Sequence, residues 1–421
     1  MKRFATSPLS PENWPFALEE LPGNACLVGG AVRDALLERR VERLDLDFVL
    51  PARAIDIARE VSVCHEAGFV VLDKAREIAR VVFPSATVDF AMQEGMSLEA
   101  DLHRRDFTVN AIAYDPRAER FIDPLDGRRD LERRHLRMVS ADNLHDDPLR
   151  LLRAYRQAAQ LGFEIDAETR ATIRQLAPEL SRVAAERICT ELGYLLATPN
   201  GTHWLRRAIA DGLLGQHLPS ATAERAARLV NLDRAATSIR NRDPQLYTSI
   251  ATSLRSTLET TPLTIAKLAS IVDGDRDTVE RELKALKYSK LEWRSVLDLR
   301  QATSATPDAD SVRSLTVREL FFWFKHLGET FLAWYVWAIA QGIDDDAIAP
   351  LLEMYRTPNH DIAHPTPFVN GQKLVEALSL PRGPIVGELL TELAIARAEG
   401  KVETQDAAIE LAQTLYGDAV R

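Results

Sequence analysis

Two motifs near the start of the chain constrain its fold most strongly: GGAVRD at 29–34 and DLD at 45–47. A short apolar run at 25–28 precedes the glycines, and helical spacing follows them over 31–40. The segment 44–50 then alternates with period two in its first half, as strands do. The pattern predicts a strand, a tight turn, a helix and a second strand.

The acidic pair on the second strand predicts a cation site. Asp45 and Asp47 lie two residues apart, so both carboxylates point to the same face of a strand. Two carboxylates directed at one point repel each other unless a cation lies between them, and Mg²⁺ prefers oxygen ligands. Two such ions can bind the attacking hydroxyl and the leaving pyrophosphate of an in-line displacement. A lone DxD is often a solvated strand face, but its combination with GGxVRD favours the metal site.

The glycine turn suits a phosphate ligand. Gly29 and Gly30 leave room for a triphosphate to approach backbone N–H groups where the helix begins. Arg33 lies one turn into that helix, from which it can reach the phosphates or the sugar.

A second cluster, RRDFTVNA at 104–111, offers further nucleotide contacts. Arg105 can bind a phosphate, Asp106 can close the pocket beside it, and the Asn110 amide can bind a ribose. The alternative is a charged loop that enters a helix, with Asp106 as its cap. The following motif, IDPLDG at 122–127, is typical of a turn.

A third cluster, DDPLRLLRAYR at 146–156, opens a helix. Pro148 suits the first helical position, which makes Asp147 a candidate N-cap. Arg150, Arg153 and Arg156 recur every three residues and share one slowly drifting helix face. A carboxylate and an arginine at a helix start can read cytosine, through its amino donor and its O2 and N3 acceptors. The same arginines equally fit a solvated stripe or an RNA-backbone contact.

The remaining pattern indicates an α/β region followed by helices. Further strands are predicted at 68–72, 79–83 and 87–91, so the α/β region ends near residue 138. From residue 143 onward strand-like alternation is absent, and 357–367 has the composition of a linker. Helices are predicted at 148–161, 166–176, 184–197, 202–214, 221–238, 276–286, 289–302, 316–326, 329–342, 346–356, 371–378, 384–399 and 404–416.

Composition excludes several classes of protein. The chain has 421 residues, a net charge of −10 and three cysteines without a CxxC pair, so a disulfide scaffold or zinc knuckle is not expected. Neither a secretory signal nor an apolar run long enough to span a bilayer is present, which favours a cytoplasmic protein. The acidic balance argues weakly against a nucleic-acid partner, but the arginine-rich stretch 104–156 can still present a basic face.

Six segments of the sequence carry a resemblance to a known family. They are GGAVRDALL, DLDFV, RRDFTVNAIAYD, IDPLDG, DDPLRLLRAYRQAAQLGF and RVAAERI. In this order the chain resembles class II tRNA nucleotidyltransferases and bacterial poly(A) polymerases, closely over about residues 24–195 and weakly beyond. The resemblance implies an α+β protein: a small mixed α/β nucleotidyltransferase head, polymerase-β-like, followed by a helical neck, body and tail. The expected segments are 1–138, 139–200, 201–355 and 356–421.

The resemblance also implies roles for individual residues. Asp45 and Asp47 would hold the catalytic Mg²⁺ ions, and Gly30, Arg33 and Arg105 would contact the nucleotide. Asp147 and Arg150 would act as a protein template for the base, supported by Arg153 and Arg156. A third carboxylate often completes such sites as a general base. Asp89 on the strand at 87–91 is the candidate, with Asp106 as its competitor.

The nucleotide preference rests on a missing loop. Family members that build the whole CCA end carry a flexible basic and aromatic loop before the LxxDLxRRDFT segment, which helps the pocket change from CTP to ATP. Here only residues 91–97 stand at that point. We therefore expect an enzyme that adds two cytidines to tRNA from CTP. A complete CCA-adding enzyme that uses CTP and ATP is the main alternative.

Two other functions are compatible with parts of the sequence pattern. A poly(A) polymerase is disfavoured by the intact Asp147/Arg150 pair, and a catalytically silent RNA-binding protein by the full set of charged motifs. His360-Asp361 resembles the HD motif of phosphohydrolases, but no set of partner histidines accompanies it, so phosphatase activity is not expected. The expected partners are the acceptor and T arms of tRNA, nucleoside triphosphates and a separate A-adding enzyme, without a membrane.

Overall fold

The computed structural model describes residues 7–39, 43–253, 260–305, 314–381 and 383–420. Arg40, the expected end of the first helix, and the first six residues lie outside the described residues. The chain divides into two compact units, Met1–Gln216 and His217–Arg421. Each is described by itself.

The first unit contains a seven-stranded mixed sheet whose strand order is β3-β4-β5-β2-β1-β6-β7. Its five predicted strands are confirmed to within a residue or two at each end. Strands β6 and β7 were not predicted, because three residues are too few to show a period. The strands are β1 (Cys26–Val28), β2 (Leu44–Leu50), β3 (Gly68–Asp73), β4 (Ile78–Val82), β5 (Ala86–Met92), β6 (Ala113–Asp115) and β7 (Arg120–Ile122).

The acidic strand β2 lies inside this sheet, between β1 and β5. It pairs antiparallel with β1 and parallel with β5. A separate two-stranded pair joins β8 (His135–Leu136) to β9 (Glu164–Ile165). The expectation that no strand follows residue 143 was therefore wrong at β9, whose two residues carry no alternation.

Nine α-helices complete the described part of this unit. Those predicted at 148–161, 166–176 and 184–197 are confirmed, and so is α1 over its described residues. Helices α2 to α5 were not predicted, and of these α3, α4 and α5 have too few turns to show a helical period. They are α1 (Gly30–Leu36), α2 (Ala54–Cys64), α3 (Leu98–Leu102), α4 (Gly127–Arg133), α5 (Ala141–Asp146), α6 (Leu149–Leu161), α7 (Ala167–Leu176), α8 (Ala185–Ala197) and α9 (Gly201–Ala210).

Helix α6 is anchored by its apolar face. Leu149, Leu152 and Ala159 are buried, as the spacing predicted. Tyr155 is fully buried, and its hydroxyl donates a 2.5 Å hydrogen bond to Asp211. The suggestion that Asp147 caps this helix was wrong, because Pro148 holds the N-cap position and no side chain caps the helix. The Asp147 carboxylate is thereby left for other partners.

Every regular element among the described residues of the second unit is a helix. The single helix predicted at 221–238 is two helices that meet at Arg228, and two helices between residues 244 and 271 were not predicted. Its main helices are α10 (Ala223–Ala227), α11 (Leu229–Arg242), α12 (Pro244–Ala251), α13 (Pro262–Ile271), α14 (Arg276–Ala285), α15 (Lys290–Ala305), α16 (Val317–Leu327), α17 (Phe331–Ala340), α18 (Asp345–Arg356), α19 (Gly371–Leu378), α20 (Pro384–Ala398) and α21 (Gln405–Val420).

The predicted linker at 357–367 lies between α18 and α19. Within it, His360 accepts hydrogen bonds from the backbone N–H groups of Ile362 and Ala363, and Asp361 pairs with Arg397 at 2.7 Å. Both residues of the HD dipeptide therefore have local structural partners. Among the described residues no helix is long and apolar enough to cross a bilayer.

The start of α4 is the tightest backbone contact near the motifs. Asp123 accepts hydrogen bonds from the N–H groups of Gly127 and Arg128, which is the turn chemistry expected of IDPLDG. A Cβ added at Gly127 would lie 2.2 Å from the carbonyl oxygen of Thr108. Backbone atoms would have to move to admit any side chain.

We predict that Gly127→Ala lowers the free energy of unfolding by about 1–3 kcal/mol, because overpacking forces the backbone to shift. Urea unfolding followed by circular dichroism measures this. Gly193→Ala is the matched control, since an added Cβ there meets no atom within 4 Å. Equal unfolding free energies for the two variants would contradict the prediction.

Candidate active site

The glycine turn is shaped by an acidic neighbour. Gly29 has a φ of 71°, a conformation that favours glycine. A Cβ built on it would lie 3.2 Å from Oδ2 of Asp47 and 3.5 Å from Nη1 of Arg105. The turn therefore brings the GG, DLD and RRD motifs together, with Gly30 as the first residue of α1.

Alternate side chains of strand β2 point to the core and to the site. Leu46 and Phe48 are 0% and 1% exposed and belong to the core. Asp45 and Asp47 alternate with them and so point to the opposite face. The period-two pattern thus places both carboxylates on the same side of the sheet.

A third carboxylate lies on the neighbouring strand. The register of β2 against β5 sets Asp89 opposite Asp47, and β4 sets Arg80 opposite Asp89. Nε and Nη2 of Arg80 donate to the two Asp89 oxygens at 2.7 and 2.8 Å. Asp89 is therefore close to the pair on β2 and already bound to an arginine.

The electrostatics of the carboxylates favour a cation. Burial, then repulsion from Asp45 and Asp89, raises the pKa of Asp47 to about 7. Desolvation and Asp89 also raise the pKa of Asp45. Asp45 and Asp47 supply two hard oxygen donors from one face of β2. Such a pair fits Mg²⁺, which takes its remaining ligands from water and substrate phosphates.

Two arginines of the site form ion pairs with neighbouring acidic residues. Arg33 makes two hydrogen bonds to Asp34, at 2.9 and 3.1 Å. Arg105 donates to the buried carboxylate of Asp101, at 3.3 and 3.1 Å. These pairs fix the guanidinium groups before any ligand arrives.

Asn110 lies at the centre of a buried hydrogen-bond network. Its Oδ1 accepts a 2.7 Å hydrogen bond from Arg33, and its Nδ2 donates to Asp106 and to Gln157, each at 2.9 Å. Both amide hydrogens are thus engaged with protein. Asn110 lines the site and also joins it to helix α6 through Gln157.

Asp106 is 8% exposed and accepts hydrogen bonds from the Phe107 N–H and from Asn110. Although burial acts to raise it, the Arg153 guanidinium at 3.4 Å and the Asn110 amide hold the pKa of Asp106 below its ordinary value. A buried carboxylate that stays ionised and fully bonded is a poor proton acceptor.

The predicted base-reading pair lies at the start of α6. Arg150 donates to the backbone oxygens of Arg104 and Asn143, at 2.9 and 3.2 Å. Asp147 accepts a 3.0 Å hydrogen bond from Arg187 on α8. Both groups are oriented by neighbours, and each keeps unused hydrogen-bonding capacity for a ligand.

The other two arginines share one acid. Glu191 on α8 is 7% exposed and accepts from Arg153 at 3.2 Å and from Arg156 at 2.5 Å. Arg156 also donates to Gln160 at 2.6 Å. A single buried carboxylate therefore sets the positions of both side chains.

These groups line one open cavity of about 790 Å³. It gathers every predicted site residue except three: Gly29 and Asp45 flank the lining residues Gly30 and Asp47, and Asp89 lies opposite Asp47. The predicted residues in its lining are Gly30, Arg33, Asp47, Arg105, Asp106, Asn110, Asp147, Arg150, Arg153 and Arg156.

Sequence reasoning missed several charged contributors. Arg76, Glu94 and Arg104 form one rim of the cavity, where Glu94 pairs with Arg104 at 2.8 Å and with Arg76 at 3.7 Å. The i,i+4 spacing of Asp101 and Arg105 was a usable signal for one further pair. No sequence signal pointed to Glu191, because it contacts Arg153 and Arg156 only when α8 packs against α6.

Three family models match the chain. A model of the poly(A) polymerase head domain matches residues 25–137, and one of the RNA and SrmB binding site of polymerase A matches 162–224. A model of tRNA nucleotidyltransferase domain 2 matches 256–412. Together the three models cover most of the α/β region and most of the helical remainder.

Curated relatives match almost the whole chain. A CC-adding tRNA nucleotidyltransferase of Synechocystis sp. is 47% identical, over 95% of this chain and 96% of its own length. One of Geobacter sulfurreducens is 33% identical, over 90% of this chain and 89% of its own. A solved CCA-adding enzyme in complex with CTP shares the fold, with a TM-score of 0.66, 22% identity and coverage of 92% and 90%.

We predict that Asp47 makes the stability of the metal-free protein depend on pH. A carboxyl whose pKa is raised on folding binds its proton more tightly when folded. The folded protein therefore loses stability as the pH rises from the carboxyl's ordinary pKa of 3.8 to its pKa of about 7 in the folded state. Thermal unfolding in a chelator between pH 5 and 8 should show this decline, and Asp47→Asn should reduce it. An exposed-site control, Asp56→Asn, should keep the wild-type slope, and an unchanged slope in Asp47→Asn would refute the assignment.

A second prediction concerns Glu191. Glu191→Gln removes the charge that fixes Arg153 and Arg156, so we expect roughly tenfold weaker CTP binding by calorimetry, as for one lost charged hydrogen bond. Glu168→Gln, an exposed acid on α7, is the matched control and should bind CTP like the wild type. Wild-type CTP affinity in a folded Glu191→Gln protein would show that the contact is dispensable.

Proposed function

Since this chain belongs to the tRNA nucleotidyltransferase family, we propose that it adds two cytidines to the 3′ end of tRNA, using CTP and releasing pyrophosphate. Its helical remainder would hold the tRNA while the α/β region carries out the transfer. A protein pair would read the incoming base, so no nucleic-acid template is needed.

The observation that carries the preference for cytidine is the brevity of the connections between β3 and α3. From β3 to α3 they cover only residues 74–77, 83–85 and 93–97. The last of these stands where complete CCA-adding members of the family carry their flexible loop. Since that loop helps the pocket change from CTP to ATP in those members, its absence supports addition of cytidine alone.

We assign base reading to Asp147 and Arg150. A carboxylate accepts a hydrogen bond from the cytosine amino group, and a guanidinium donates to its N3 and O2. The side chains are oriented by Arg187 and by two backbone oxygens. Arg153 and Arg156, held by Glu191, would support the triphosphate or the reading pair from the next turns of α6.

Asp45 and Asp47 would hold Mg²⁺. The bound ions would neutralise charge on the attacking and leaving oxygens. Arg105 and Arg33 would bind phosphate and sugar from the opposite side, with Asp106 and Asn110 fixing their surroundings. Gly29 and Gly30 leave the space in which the phosphates lie. Most of the rate would come from positioning and charge neutralisation.

The chemical step is an in-line displacement. The 3′ hydroxyl oxygen of tRNA attacks the α-phosphorus of CTP as the bond to the β-phosphate oxygen breaks. We retain Asp89 as the candidate to accept the hydroxyl proton, which requires its contact with Arg80 to loosen. Asp106 is the weaker choice because its hydrogen bonds and low pKa favour a structural role.

We also propose a division of labour along the chain. Residues 1–138 would form the catalytic head, 139–200 the base-reading neck, 201–355 the tRNA-binding body and 356–421 the tail. The substrate contacts would lie on the acceptor and T arms, in a cytoplasmic protein, and a separate enzyme would add the terminal adenosine.

The test is extension of a tRNA transcript that lacks its CCA end, in Mg²⁺, resolved at single-nucleotide length. We expect two added residues with CTP alone, none with ATP alone, and two with both. Three residues with both nucleotides would identify a complete CCA-adding enzyme. Long tails with ATP alone would identify a poly(A) polymerase.

Asp45→Asn separates catalysis from binding. We expect at least a hundredfold loss of CTP incorporation, as for other groups that stabilise a transition state, with tRNA affinity retained. Asp56→Asn, on the outer face of α2, should keep full activity. Absence of incorporation by the wild type with every nucleotide would favour a silent RNA-binding protein.

A further inference from the structure

Arg80 lies beside the three carboxylates of the site. Antiparallel pairing of β4 with β5 sets it opposite Asp89, and parallel pairing of β5 with β2 sets Asp89 opposite Asp47. Paired residues on neighbouring strands point to the same face of a sheet. The Arg80 guanidinium therefore lies on the face that carries the two aspartates of β2.

The contact between Arg80 and Asp89 engages both carboxylate oxygens. Nε donates to Oδ1 at 2.7 Å and Nη2 donates to Oδ2 at 2.8 Å, which is the bidentate geometry of strong guanidinium–carboxylate pairs. Within the described chain Asp89 is the only acid that pairs with Arg80, and the residue opposite Arg80 on β3 is Val70. The guanidinium is therefore held by Asp89 and is not shared with another acid.

Two other arginines near these carboxylates are anchored elsewhere. Arg43 donates to the backbone oxygen of Phe83 at 2.8 Å, and Arg105 donates to the carboxylate of Asp101. Arg80 differs from both, because its anchor is itself one of the three acids of the site.

The charge of Arg80 acts on all three carboxylates. Its hydrogen bond to Asp89 raises the pKa of Arg80, and so does attraction to the three acids, although partial burial opposes both effects. Burial and repulsion from neighbouring acids raise the pKa of Asp45 and of Asp47, and Arg80 opposes this rise. The guanidinium thus balances negative charge on two neighbouring strands.

A carboxylate that is already neutralised is a weak ligand for a metal ion. The Arg80–Asp89 pair carries no net charge as a unit, and a divalent cation bound to Asp89 would lie close to a second cation. The negative charge open to a metal is then that of Asp45 and Asp47. Since affinity for such cations depends on the number of charged ligands, two carboxylates bind more weakly than three.

We propose that Arg80 is the internal counter-ion of the metal site, which keeps Asp89 out of the ligand set and so weakens Mg²⁺ binding before CTP arrives. The proposal rests on the proposed function, which assigns the metal to Asp45 and Asp47. Its consequence is an order of events. Because Mg²⁺ takes further ligands from substrate phosphates, the site fills only once the triphosphate is bound.

The experiment titrates Mn²⁺ into the full chain, with free Mn²⁺ followed by electron paramagnetic resonance. In Arg80→Gln we expect roughly tenfold tighter Mn²⁺ binding, since the variant removes a cation and frees the charge of Asp89. The Mg²⁺ concentration that gives half-maximal CTP incorporation should fall in the same variant. Weaker or unchanged Mn²⁺ binding in a folded Arg80→Gln protein would overturn the proposal.

A double variant tests whether Asp89 lies outside the ligand set. Arg80→Gln/Asp89→Asn removes a neutral pair, so its Mn²⁺ affinity should stay close to that of the wild type. A loss as large as that of Asp45→Asn would show that Asp89 is a ligand despite Arg80 and would overturn the proposal. Arg53→Gln is the matched control: it breaks an exposed ion pair with Glu60, at 2.9 Å, and should bind Mn²⁺ like the wild type.

The effect of nucleotide separates this role from a structural one. A CTP analogue that resists cleavage between the α- and β-phosphates should tighten Mn²⁺ binding more in the wild type than in Arg80→Gln, because the variant has a third carboxylate without it. An equal gain in both proteins would overturn the proposal. If Asp45→Asn binds Mn²⁺ as tightly as the wild type, the metal assignment of the proposed function fails instead, whatever Arg80 does.

Discussion

The Asn110 side chain is the point on which the N-terminal unit depends, because it uses each of its amide groups to join separate parts of the chain. It accepts from Arg33 on the first helix and donates to Asp106 and to Gln157 on α6. The network is buried, so an unmatched member would leave a polar group without water. The network thereby links α1 and the segment 106–110 to α6, at whose start the proposed base-reading pair lies.

Most of the cavity's arginines are paired with acids. Arg33 pairs with Asp34, Arg105 with Asp101, and Arg153 and Arg156 with Glu191. This arrangement holds the guanidinium groups in place without a ligand, so little conformational freedom is lost when a ligand binds.

The sequence predicted the parts of this site that depend on local spacing. The period of β2 placed both aspartates on one face, and the helical period of α6 placed three arginines on one side. Tertiary contacts were beyond its reach. Arg187 and Glu191 contact the lining residues Asp147, Arg153 and Arg156 only because α8 packs on α6. The engagement of both Asn110 amide hydrogens needed three segments in place. The break at Arg228 was missed because its flanks keep a continuous helical pattern, and β6 and β7 were too short to show a period.

The parallel pairing of β2 with β5 affects the chain while it is being made. Strand β2 can join its earlier neighbour β1 at once, but its other edge stays open until residues 86–92 have left the ribosome. An open edge with the sequence LDLDFVL could pair with other nascent chains, because four of its residues are strongly apolar on the core side and at its end. Asp45 and Asp47 place negative charge along that edge, and charges on exposed edges oppose aggregation. The two carboxylates proposed to hold Mg²⁺ in the finished protein thus also put charge on this strand before β5 is available to cover its edge.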